Sequence, residues 1–180
     1  MSDVAIQKQK ILGAARRLAD RRGADFDAAA VAADAQLPPS AIGRHYADFN
    51  LLLCELLAQM YDEVRDLVTK LTLNMPSGPG RLQLALETYL QALLDRPGLR
   101  ALARHLRFHP QGSQLIRQRV KGFNLMLQLE LKSANWPDPA VAARLCTAAL
   151  IETAVAESEA GRKLPAMRDT LIAYFTAGMA

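Results

Sequence analysis

Apolar positions recur at helical spacing from the start of the chain: Ile6, Ile11, Leu12, Ala15 and Leu18 share one face, with Lys10, Arg16, Arg17 and Arg21 mainly off it. Gly23 follows the basic pair Arg21 and Arg22, the usual ending of a helix, so the first helix is expected from about Val4 to Arg22. Asp27 suits the cap of a short second helix through the alanine-rich stretch to about Gln36. Pro38 and Pro39 cannot lie inside a helix but suit its first turn, which predicts a third from Pro39 to about His45. Asp48 is the expected cap of a longer fourth helix that runs to about Leu71.

The stretch Asn74 to Gly80, NMPSGPG, is the clearest break in the pattern. Beyond it, helix-compatible runs cover Arg81 to Asp95, Leu99 to Phe108, Ser113 to Ala134, Val141 to Gly161 and Pro165 to Met179, separated by RPG, HPQG, WPDP and GRKLP. In WPDP, Asp138 reads as a cap and Pro139 as the first helical residue. With no strand alternation and no repeat, the chain reads as all-α with about nine helices. The expected division is a helix-turn-helix head at 1–50, the fourth helix at 48–71 as connector, and a helical body at 72–180.

Composition narrows the class without deciding it. At 180 residues, with 51% hydrophobic and 22% charged residues, the chain is long enough for one core or for a small head on a larger body. The excess of 22 basic over 18 acidic residues permits an anionic partner but does not require one. Cys54 and Cys146 lack metal-site or disulfide spacing and read as small apolar residues of a reducing compartment. The N-terminal MSDVAIQKQK lacks signal-peptide order, and no membrane-crossing apolar run is expected, so the cytoplasm is the default location.

Three short helices with a tight link between the second and third are the ingredients of a helix-turn-helix. The residues ILGAARRLADRRG and VAADAQLPPSAIGRHYADFNLLL, spanning Ile11 to Leu57, resemble the DNA-binding head of the TetR family of transcriptional regulators. Leu18 and Gly23 fall where the family's first helix packs and stops. Val31, Ala32, Ala35 and Leu37 match its second helix and turn, Ile42 and Tyr46 the anchors of the third, and Arg44 and His45 its Arg-His pair. The resemblance implies double-stranded operator DNA as partner, a small-molecule effector in the body, and a homodimer, with no cofactor, metal or membrane.

Departures from the family pattern concentrate on the DNA-facing positions. Gln36 replaces a turn glycine, Gly43 the tyrosine that reaches a phosphate, Phe49 a lysine, and Ala29 a polar groove contact, while Pro38, Ser40 and Ala41 stand for Ser, Gly and Thr. Over residues 1–60, seven basic residues (Lys8, Lys10, Arg16, Arg17, Arg21, Arg22, Arg44) meet seven acidic ones (Asp3, Asp20, Asp25, Asp27, Asp34, Asp48, Glu55). The candidate DNA contacts are Lys8, Lys10, Pro39, Ser40, Ala41, Arg44 and His45, with a packing role as the alternative for His45 and a solvated surface charge for Arg44. A TetR-fold module that binds a small molecule or a protein, its reader residues degenerate, is the competing reading.

In the body, Arg96 to Lys121 holds seven basic residues and no acidic one, and Arg96, Arg100, Arg104 and Arg107 form one stripe. A solvated face, a phosphate contact and the steering of an acidic ligand are all open for it. His105 and His109 have a chelating spacing but no carboxylate nearby in sequence, so no metal site is assigned, and no catalytic motif occurs. Candidate effector-lining residues are Met60, Tyr61, Leu86, Tyr89, Leu90, Leu93, Arg104, Phe108, Phe123, Met126 and Leu127, which suit an apolar or aromatic small molecule. The last two helices are apolar over wide faces. The homodimer is therefore expected through Val141, Leu145, Ala148, Ile151, Val155, Leu171, Ile172 and Phe175, some of which an intramolecular core would also claim.

Overall fold

The computed structural model describes residues 3–179, and its secondary structure is entirely helical among them. The helices are α1 (Asp3–Arg22), α2 (Ala28–Asp34), α3 (Ala41–His45), α4 (Phe49–Thr72), α5 (Pro79–Leu94), α6 (Pro97–Leu106), α7 (Pro110–Ser133), α8 (Pro139–Ala160) and α9 (Pro165–Thr176). They form two compact units, one of the chain up to Asp62 with Arg96–Ile116, the other of Glu63–Asp95 with the chain from Arg117 onward.

In the first unit, α1 buries Ile11, Leu12, Ala14, Ala15, Leu18 and Ala19, and stops at Gly23, whose φ is +66° and whose amide donates to the Ala19 carbonyl at 2.9 Å. The periodicity holds only from Ile11 onward: Ile6 lies ahead of the packed turns and is exposed. Asp27 caps α2 as expected, accepting a hydrogen bond from the Ala30 amide at 2.8 Å. After α2 the chain turns through Gln36 at φ +56°, with the Leu37 amide donating to Ala32 O and the Gln36 amide to Ala33 O. This is the two-bond helix ending that favours glycine, here closed by glutamine.

Arg17 donates to one Asp34 carboxylate oxygen at 2.9 and 2.6 Å, and Arg21 to the other at 2.7 Å, fastening α1 to the end of α2. The Arg17 bonds first, then that of Arg21, hold the Asp34 carboxyl below its usual range.

Residues 96–116, expected in the body, cluster with the head. Gly98 explains how: a Cβ there would stand 2.8 Å from the Ala19 carbonyl carbon, so only glycine lets α6 lie this close against α1. No local pattern announces such a contact.

The second unit packs α5, α8 and α9 around Leu82, Leu86, Leu90, Ala142, Cys146, Leu150, Leu171, Ile172 and Phe175. Glu157 and Arg168, both nearly fully buried, form a two-pronged pair at 2.6 and 2.6 Å between α8 and α9, and Glu157 also accepts from the Leu164 amide. Burial alone would raise the Glu157 carboxyl, but the Arg168 and Leu164 bonds outweigh it and hold it low. Both cysteines are free, and burial pushes the Cys146 thiol up to about 12.

Three sequence expectations change. Pro79, Pro97 and Pro110 each open a helix where the pattern had placed starts two or three residues later, since a first-turn proline has no amide to leave unsatisfied, whereas Pro139 opens α8 as WPDP predicts. Asp138 stands at the cap position but in the left-handed region, φ 47°, and its side chain makes no capping bond. In addition, α8 is long and apolar enough by length and composition to cross a membrane, contrary to expectation. Here its Cys146, Leu150 and Ala154 belong to the core.

Because the Asp34 carboxyl sits below its unfolded value of about 3.8, its pairing stabilises the fold above that pH and is lost as the pH falls through the lower folded value. Asp34→Asn is expected to lower the melting temperature at pH 7. In melts taken at decreasing pH, its gap from the unsubstituted protein should close below about pH 4.

Candidate nucleic-acid interface and apolar face

A five-residue α3 cannot hold its shape alone, so its orientation is set by what it buries. Ile42 and Tyr46 are both buried, and the Tyr46 hydroxyl donates to Glu55 Oε2 on α4 at 3.1 Å. Lys8 Nζ reaches the same oxygen at 2.9 Å and stands over the Tyr46 ring, 5.6 Å from its centroid. Burial, then the charge and hydrogen bond of Glu55, push the Tyr46 hydroxyl above its ordinary range. With those groups turned in, Pro39, Ser40, Gly43 and Arg44 are turned out.

The expected DNA contacts divide accordingly. Pro39, Ser40, Arg44 and Lys10 are exposed and available. Ala41 is not: it is 3% exposed, because the helix that points Ile42 inward takes Ala41 with it, and its place as a surface for thymine methyls is withdrawn. Lys8 is engaged by Glu55 and is not a spare cation. His45 is half-buried with Nε2 3.4 Å from Gln7 Oε1, the packing role held open for it in the sequence. Phe49, where a lysine was expected, packs edge-on to Phe26 with ring centroids 5.9 Å apart.

The head's charge is largely committed internally. Arg16 pairs with Asp20, and Arg17 and Arg21 with Asp34, which leaves Lys10, Arg22 and Arg44 as exposed cations of residues 3–60 that no carboxylate holds.

The effector candidates fall in both units. In the first, Met60 is buried and Tyr61 half-buried on α4, while Arg104 and Phe108 are exposed, so Phe108 is no wall of an enclosed cavity. In the second, Leu86, Leu90, Leu93 and Leu127 are core residues, Tyr89 and Phe123 meet with ring centroids 5.0 Å apart, and Met126 is exposed. His105 is exposed and His109 turns to Asp48, 3.5 Å away, so the two histidines do not converge on a metal.

The candidate self-association residues also separate. Val141, Leu145, Ala148 and Val155 fall at i, i+4, i+7 and i+14 and form one exposed stripe of α8 with Ile151 alongside; Val141 and Leu145 are 59% and 56% exposed. Leu171, Ile172 and Phe175 are buried within the unit and are removed from the face, their side of α9 being the one that meets α5 and α8. Tyr174, missed in the sequence because one exposed aromatic carries no periodic signal, stands on the open side of α9. It lines a shallow apolar hollow of about 130 Å³ with Trp136, Val141, Leu145 and Phe175.

This arrangement is the TetR-like fold of solved transcriptional regulators. A TetR transcription regulator from Haloarcula marismortui matches with a TM-score of 0.82 at 17% identity over 97% of this chain and 98% of that one. A transcriptional regulator from Rhodococcus sp. Rha1 matches with a TM-score of 0.81 at 15% identity over 95% of each chain. The fatty acid degradation regulator FadR from Bacillus halodurans matches with a TM-score of 0.76 at 15% identity, over 96% of this chain and 99% of that one. No family model and no curated protein matches the sequence. Identities this low establish the fold.

Gly43 lies inside α3 with open space around it: no atom stands within 4 Å of where a Cβ would be. Gly43→Ala is therefore expected to stabilise the protein by about 0.5–1 kcal/mol through helix propensity alone. Chemical denaturation with an unchanged slope and a raised midpoint would record it.

Proposed function

We propose that the protein is a dimeric DNA-binding transcriptional regulator, most simply a repressor released from its operator by a small apolar or aromatic effector bound in its helical body. The observation that carries this reading is the presentation of α3, with Ile42 and Tyr46 buried and Pro39, Ser40 and Arg44 turned outward after a tight turn. A recognition helix used in this way reads the major groove with its N-terminal end, here Ser40 at the cap and Pro39 before it, while Arg44 lies within reach of phosphates.

The exposed apolar side chains of α8, which flank the exposed Glu152, support a second copy as partner, since such side chains gain stability when a like face covers them. Two heads must then stand about 34–36 Å apart, one helical turn of DNA, for both to dock. An effector that favours a different separation shifts the population away from the docked state. Neighbours of the same fold described as transcriptional regulators support the assignment.

A second reading, a TetR-fold module that binds a small molecule or a protein without reading DNA, is favoured by specific features. Ala41 is buried, Gly43 offers no side chain, Phe49 packs on Phe26, and Lys8, Arg17 and Arg21 are held by carboxylates.

A mobility-shift assay on DNA from upstream of the protein's own gene separates the two. The regulator reading expects retention against competitor DNA, steep salt dependence, and loss of about one unit of salt slope in Arg44→Gln. Weak binding indifferent to sequence assigns the protein to the module reading. The doubly substituted Leu145→Glu, Val155→Glu protein is expected to sediment as a folded monomer, whereas sedimentation as a dimer removes the α8 stripe from the interface.

A further inference from the structure

The corner between α6 and α7 carries an exposed group that the proposed reader face does not use. Phe108 is 82% exposed, and the Arg107 guanidinium lies over its ring, 4.5 Å from the centroid. Arg104, in the last turn of α6, is exposed as well, as is His105. No acidic residue occurs between Arg96 and Leu129. The nearby carboxylate shown by a contact is Asp48, which faces His109 Nε2 at 3.5 Å.

The corner is tightly built. The His109 amide donates to Leu106 O at 3.0 Å, the Ser113 amide to His109 O at 2.8 Å, and a side chain at Gly112 would collide with the Leu106 carbonyl. Phe108 is thus held outward by a fixed turn. Its place follows from two contacts within the same compact unit. α6 lies against α1 through Gly98, and at its other end His109 meets Asp48, the residue that precedes α4 and stands four after Arg44. The corner therefore lies, through His109, beside Asp48, two residues past the Tyr46 that ends α3.

Cations in the last turn of a helix also complement its dipole, which accounts for Arg104 and Arg107 on stability grounds. It does not account for a large aromatic side chain left in water beneath one of them. A guanidinium laid on an aromatic face is restrained in position and keeps its donor edge free, an arrangement suited to an oxyanion beyond it.

We propose that Arg104, Arg107 and Phe108 form an accessory contact to the phosphate backbone of duplex DNA, flanking the groove that α3 enters. The inference rests on the DNA-binding reading above and adds a second anchor to it. Such an anchor compensates for a head whose own cations are mostly tied to carboxylates. It reads no bases, so it contributes equally on any sequence.

The test uses the full-length protein with two probes, a 40-bp duplex from upstream of its own gene and a 40-bp duplex of scrambled sequence. Affinities are measured from about 50 to 200 mM salt for the unsubstituted protein, Arg104→Gln with Arg107→Gln, and Phe108→Ala. Neutralising both arginines is expected to reduce the salt slope by about 1.8, so that the fourfold rise in salt costs the variant about tenfold less affinity than it costs the parent. The loss should be the same on both duplexes. Phe108→Ala is expected to keep the slope and weaken binding about two- to fivefold, the effect of releasing the guanidinium. These substitutions lie on the surface, and unchanged thermal melts would confirm folding.

An unchanged slope in the double variant, with the parent still binding DNA, overturns this inference and leaves the regulator reading standing. A parent that binds neither duplex overturns both. Arginine-dependent retention on a polyglutamate column, with no arginine-dependent change on DNA, assigns the corner to an acidic protein partner and likewise overturns the proposal.

Discussion

What α3 can touch depends on its anchoring by Ile42 and Tyr46. A helix of five residues has too few internal hydrogen bonds to persist in water, so its direction belongs to its neighbours. Two buried side chains fix the inner face, and the Tyr46–Glu55–Lys8 cluster ties that face to α4 and α1. The outer face follows from the inner one by helical geometry. Ser40 and Arg44 become a presented pair, and Ala41 becomes core, for one and the same reason.

The same anchoring decides the electrostatics. Residues 1–60, with equal numbers of basic and acidic side chains, have little long-range attraction for a polyanion, and the pairs that stiffen them consume most of their cations. Arg17 and Arg21 secure the α1–α2 angle on Asp34, and Lys8 secures Tyr46, so rigidity around α3 has been favoured over free charge. Under the proposed DNA-binding function, the contacts must then come from a few uncommitted groups. Arg44 is one, and the α6–α7 corner packed into the same unit supplies others.

Local signals in the sequence carried the helices well. Asp27 as a cap and Gly23 as a terminator depend on nearest neighbours, and the structure repeats them. Proline misled at three helix starts because the same residue marks both an ending and a first turn. The rest lay beyond local pattern. Nothing near Gly98 says that another helix approaches it, so the membership of α6 in the head was invisible. Likewise α8 and α9 are apolar on more than one side, and periodicity alone cannot tell the side that packs from the side that stays open. That is why Leu171, Ile172 and Phe175 were grouped with Val141 and Leu145 although they face the interior.

The measurement that bears most directly on the central claim is a hydroxyl-radical and methylation-protection footprint of the protein on DNA from upstream of its own gene. The anchored, outward-facing α3 predicts two protected major-groove patches whose centres lie about 10 base pairs apart, or a multiple of that, both lost on Ser40→Ala with Arg44→Gln. Protection confined to the backbone with no major-groove component, or a footprint indifferent to that double substitution, would contradict it.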